Sequence, residues 1–215
     1  MNFAKLVQVS AAMPNPDSSR DYHHGNLRQT LCTLALDHLR KDGLKHLSLR
    51  ALAREIGVSP TAPYRHFKDK EALLQALAVE GFGRLREANL RAIAEADPNP
   101  ESQLRAAGLS YLEFALGQPE LFDLMFGPLL RQGSHDALHR AGDMSFAVLV
   151  EVIQQGIDQG VFNVDDAEAA ANTAWALVHG LAHIGRAICP DWSPQEVQGL
   201  ASESMHLLLR GLTRP

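Results

Sequence analysis

Apolar positions recur at helical spacing along most of the chain, and the breaks between runs carry glycine, proline and short capping side chains. Leu27, Leu31, Leu34, Ala35, His38 and Leu39 trace the inner face of a first helix, which opens within Tyr22–Arg28 and stops at Asp42-Gly43. Leu49, Leu52, Ala53 and Ile56 form a second, shorter stripe. Ser48 is placed to cap it, and Gly57 to end it in the left-handed conformation. Val58 then turns inward, Ser59 caps a third helix with Pro60 at its first position, and Phe67 faces back into a core. Pro63 removes at most one intrahelical N–H bond from that helix, so a loosened first turn is expected and no break. Two short helices joined by a tight turn make a helix-turn-helix.

Asp69 is placed to cap a long helix running from Lys70 through Leu73, Leu74, Leu77, Ala78, Phe82, Leu85, Leu90 and Ile93 to the turn signals of Asp97-Pro98-Asn99-Pro100. Further amphipathic segments follow over residues 101–116, 119–126, 144–159, 165–188 and 194–212, with 129–142 read as loop or weak helix. The pattern predicts an all-α chain, with an N-terminal three-helix helix-turn-helix domain (20–70) joined to a larger helical bundle (71–215). The proline-punctuated, polar residues 13–19 make 1–19 a flexible tail. The long helix belongs to both modules, so the boundary is mechanical.

Composition supports this division. The 215 residues are 46% hydrophobic and 21% charged, enough for a sizeable core, and with aromatics at only 6% they favour helix over sheet. No run of about 18 apolar residues is present, so no membrane span is expected. Lys5, Gln8 and Ser10 interrupt the mildly apolar start, which argues against a secretory leader. Two cysteines, Cys32 and Cys189, make no disulfide framework and suit a reducing cytoplasm. The net charge of −5 hides an asymmetry: residues 20–70 hold ten basic against five acidic side chains, leaving −10 on residues 71–215. A basic head on an acidic body fits a protein that sets one end on a polyanion.

Thr61, Tyr64, Arg65, His66, Lys68 and Lys70 crowd the second helix of the motif. Such a helix can lie in a major groove with base edges at its N-terminal end and phosphates at its flanks; a solvated basic face is the plain alternative. Arg50 on the preceding helix is either a bidentate partner for guanine or a surface arginine.

Ser48 to Leu74, with Ala53, Gly57-Val58-Ser59, Tyr64, His66-Phe67, Lys70 and Leu73-Leu74, resembles the N-terminal DNA-binding domain of the TetR family of transcriptional repressors. The resemblance implies a homodimer on double-stranded, pseudo-palindromic operator DNA, released when a small-molecule effector enters the C-terminal domain. It implies a DNA-binding set of Ser48, Arg50, Ser59, Pro60, Thr61, Tyr64, Arg65, His66 and Lys70. Within it Pro60, Thr61 and Tyr64 match base-contacting positions, and Arg65, His66 and Lys70 match backbone-contacting ones. Ala62 departs from the pattern by removing a polar side chain.

Trp175, His179 and His183 recur every four residues and share one helical face. Trp175-x-x-x-His179-Gly180 resembles the Trp-His-Gly signature of one branch of TetR-type C-terminal domains. Two readings stand. These side chains line a ligand cavity with Tyr111, Phe114, Phe122, Met125 and Phe126, or they pack the core and the dimer. The His-x-x-x-His pairs, His179/His183 and His135/His139, also admit a metal-binding sensor or hydrolase. They lack the intervening glutamate of zinc proteases and an evident third ligand, so no metal or cofactor is expected. No nucleophile elbow, phosphate loop or dinucleotide fingerprint occurs, and catalysis is not indicated.

Overall fold

Local capping decides where each helix begins. The computed structural model describes residues 27–44, 46–127, 136–185 and 193–213, and among them it contains eight α-helices and no strand. The expected N-terminal tail, His23 and His24 lie outside the described residues. Helix α1 spans Leu27–Asp42 and α2 spans Leu49–Ile56. Gly43 follows α1 at φ 69° and donates its N–H to the Leu39 carbonyl, as a helix stop requires. Ser48 Oγ accepts the Ala51 N–H at 3.1 Å, a cap worth about 1 kcal/mol. Gly57, at φ 80°, ends α2, and the N–H groups of Gly57 and Val58 return to Arg54 and Ala53.

The next element differs from the expected α-helix. Residues Ala62–Arg65 form a 3₁₀ helix, with Ala62, Tyr64 and His66 donating three residues back to Ser59, Thr61 and Pro63. Pro60 and Pro63 both lack an N–H, so the i→i−4 ladder cannot start, and the tighter pattern uses the donors that remain. Ser59 does not cap it: its hydroxyl sits 3.3 Å from that of Thr61, and the first turn has no side-chain cap.

Asp69 accepts the Ala72 N–H at 2.8 Å and opens α3, Lys70–Glu95. Its 26 residues span about 39 Å. Helix α4 (Pro100–Gly117) starts on Asn99, whose side chain accepts from Ser102 at 2.9 Å. Helix α5 (Pro119–Phe126) follows directly. Helix α6 runs Asp136–Asp158, so residues 136–142, read from sequence as loop or weak helix, belong to it. Leu138 is buried there, and Gly142 faces the Phe82 ring, so a polar exposed face and a glycine masked an ordinary amphipathic turn. Helix α7 is Ala167–His183, capped by Asp166, and α8 is Pro194–Thr213. Ser193 and Glu196 form a reciprocal capping box ahead of α8, with the Ser193 N–H donating to Glu196 at 2.7 Å. These bonds hold the Glu196 carboxyl below its usual value.

One apolar core runs from Leu27 to Leu212, with α3 packed against α4, α5 and α6 and its first turns against α1. Leu31, Leu73, Leu77, Leu104, Leu112 and Phe122 are fully enclosed. Cys32 is buried on α1, and burial pushes its thiol up.

The turn after α6 depends on a missing side chain. Val161 and Phe162 donate to the Gly156 carbonyl, and a Cβ on Gly156 would meet the Phe162 ring at 2.1 Å. Gly156→Ala is expected to expel that ring from the core at about 1–3 kcal/mol. Thermal unfolding would then show a Tm lowered by roughly 2–12 °C, and an unchanged Tm would show that the ring relocates freely.

Candidate functional site

The helix-turn-helix presents two kinds of side chain on its outer surface. Pro63 and Phe67 point inward and anchor the 3₁₀ segment to the core. Arg50, Ser59, Pro60, Thr61, Tyr64, Arg65 and His66 are all exposed, so the turn brings the tip of α2 and the 3₁₀ segment into one polar, basic surface. Tyr64 is the notable member, because 44% of a large aromatic residue stays exposed to water. Ser48 is occupied by its capping bond. Lys70 is half-buried, and its ammonium donates to the Leu44 carbonyl, fastening the foot of α3 to the loop after α1. The Arg28 guanidinium lies over the Phe67 ring at 5.4 Å from its centroid. His38 reaches across to Glu55 at 2.7 Å and holds α1 to α2.

Between Phe82 and Asn89 of α3, the helix bundle opens into a cavity of about 260 Å³. Phe82, Leu85 and Asn89 of α3 form one wall, Leu104, Gly108 and Tyr111 of α4 another, and α6, α7 and Met205 of α8 close it. Gly108 lets Met205 pack close, since a Cβ there would stand 3.1 Å from its terminal methyl. Of the eight residues named from sequence, Tyr111, Phe126 and Trp175 line the cavity. Phe114, Phe122, Met125, His179 and His183 are outside its lining. Phe122 is fully buried against Tyr111 and both histidines, and Met125 fills the space over Gly81.

Behind the wall runs a chain of polar contacts. The Tyr111 phenol oxygen is 2.7 Å from His179 Nδ1, the Trp175 ring packs on that imidazole with centroids 5.1 Å apart, and His179 Nε2 is 3.2 Å from His183 Nε2. Burial holds the Tyr111 hydroxyl protonated far above the ordinary tyrosine range. Among the described residues no group of three or more His, Cys, Asp or Glu side chains converges to hold a metal ion, and His135 lies outside them.

Sequence reasoning missed Asn89. It continues the Phe82–Leu85 stripe at helical spacing, and a polar residue on a buried stripe is the signal that would have found it. Its Oδ1 is buried without a hydrogen-bond partner, at a side chain only 9% exposed.

Comparison with known proteins fits this arrangement. Residues 33–77 match the family described as bacterial regulatory proteins, tetR family, and residues 104–210 match the tetracyclin repressor-like C-terminal domain. Together they cover more than half of the chain, which therefore belongs to the TetR family of transcriptional regulators. The class D tetracycline repressor of Escherichia coli is 38% identical over 68 residues, 32% of this chain and 31% of that protein. The chain thus matches about a third of the length of such curated relatives. A protein of unknown function from Rhodococcus sp. RHA1 superposes with a TM-score of 0.82 at 38% identity, over 90% of this chain and 98% of that one. FadR from Bacillus subtilis, solved with stearoyl-CoA, shares the fold at a TM-score of 0.71 and 16% identity, over 86% and 98% of the two chains. No helix among the described residues is long and apolar enough to cross a membrane.

Tyr111→Phe removes the hydroxyl bonded to His179 and should cost about 1–3 kcal/mol at neutral pH, read from the urea midpoint. Because the folded state raises the Tyr111 pKa above its unfolded value, its contribution is complete below about pH 10 and declines as pH rises beyond it. The alkaline slope of stability should therefore be shallower in Tyr111→Phe; an identical slope would show that the phenol titrates freely.

Proposed function

We propose that this chain is a ligand-responsive repressor that grips a pseudo-palindromic operator as a homodimer and lets go when a small molecule fills the bundle cavity. The observation that carries the reading is the continuity of α3. Its foot is bonded to the helix-turn-helix through Lys70 and Leu44, and its upper turns supply Phe82, Leu85 and Asn89 to the cavity. Any ligand that displaces those three residues tilts a rod about 39 Å long. A tilt of about 5° moves its far end by roughly 3 Å, enough to misplace base contacts that need hydrogen-bond geometry.

On this reading Arg50, Thr61 and Tyr64 face base edges, while Arg65 and His66 meet phosphates. Lys70 changes partner from the Leu44 carbonyl to a phosphate when DNA arrives. Paired heads would stand about 34–36 Å apart to meet successive major grooves. The outer surfaces of α7 and α8 suit the two-fold contact: Gly180, Gly199 and Gly211 have open space where a Cβ would stand, and Leu207 is 67% exposed. That a protein of this fold has been seen with stearoyl-CoA supports assigning ligand response to the same domain. Binding at the cavity shifts the DNA equilibrium only by its differential affinity for the two spacings.

The test is binding to DNA from the chain's own promoter region across a salt series. Log affinity is expected to fall linearly with log salt, and Arg65→Ala should make that slope shallower by about one unit. Tyr64→Ala should weaken binding by about 1–3 kcal/mol at every salt concentration. A flat salt response, or unaltered affinity in both variants, would remove this surface from DNA recognition.

A further inference from the structure

We infer that the cavity selects a compact organic amine, apolar in body and cationic at one end, and that it rejects carboxylates of the same shape. This rests on the reading of the bundle cavity as the effector site. Among the described residues lining the cavity there is no lysine, arginine or histidine, and the one charged side chain is Asp143. An anion entering there would lose its hydration and find no cation in exchange.

One further observation points the same way. Next to the cavity lies a surface groove that shares Asp143 and Phe146 with it and adds Glu151 and Glu168, again with no basic residue in its lining. A molecule approaching through this groove meets carboxylates first, and then an interior walled by Phe82, Phe126, Trp175 and Met205. Electrostatic focusing in a low-dielectric cleft of one sign concentrates the opposite charge. The aromatic faces of Phe126 and Trp175 favour a cation as well.

Size narrows the class further. A cavity of about 150 Å³ takes up benzene, so about 260 Å³ holds one ring with a short arm or a fused pair of rings, and no long acyl chain.

Calorimetric titration of the full chain with phenethylamine, phenylacetate and ethylbenzene tests this, because the three share a skeleton and differ at the end group. Phenethylamine is expected to bind at least about tenfold more tightly than phenylacetate, with ethylbenzene between them. Asp143→Asn, at an exposed position, should reduce that preference about tenfold and leave ethylbenzene unaffected. Equal or tighter binding of phenylacetate, no saturable binding of phenethylamine, or an undiminished preference in Asp143→Asn would each overturn the inference. Operator affinity is measured separately with and without phenethylamine. If the amine binds with the stated preference and DNA affinity stays the same, the ligand class stands and the effector role of the cavity falls.

Discussion

The bond between the Lys70 ammonium and the Leu44 carbonyl, at the capped start of α3, is the junction on which the molecule's organisation turns. It reinforces a junction that Leu73, Leu74 and Leu77 also pack, carrying the core of the front module directly into that of the rear one. A cationic side chain placed against a carbonyl also explains why this position is only half-exposed. The same ammonium that organises the free protein is available to a stronger acceptor when one is presented.

The polar chain behind the cavity adds a second kind of constraint. Tyr111 and Trp175 stand in one wall, with Tyr111 bonded behind it to His179 and His179 to His183, whereas the opposite wall, on α3 and α6, consists mainly of side chains packed by shape. On the proposed reading a ligand would press on the movable side. Fixing one wall by hydrogen bonds and leaving the other to van der Waals packing directs displacement toward the helix connected to the front module.

Much of this was legible in the chain. Ser48, Gly57 and Asp69 announced their caps because capping depends on a single side chain and its neighbours. The 3₁₀ geometry at Ala62–Arg65 was not, because each proline alone removes one bond, and only their spacing of three cancels the α ladder. The face shared by Trp175, His179 and His183 was visible from period alone. Which of them meets the cavity was not, since Phe122 from another helix packs against both histidines outside its lining. The start of α6 was hidden by the polar residues of its exposed side. Asn89 is the case where a local anomaly pointed to chemistry that tertiary structure alone could complete.

The 3₁₀ segment has a further consequence for sequence discrimination. In a helix of three residues per turn, side chains three apart are eclipsed, so Thr61 and Tyr64 project along one line about 6 Å long. An α-helix would fan the same two residues apart around its axis. Six ångströms correspond to about two nucleotide steps on one strand. If the proposed surface reads DNA, it does so as a narrow stylus, and a half-site met by it would be discriminated at few positions by touch, with the remaining selectivity falling to the flexibility of the flanking duplex.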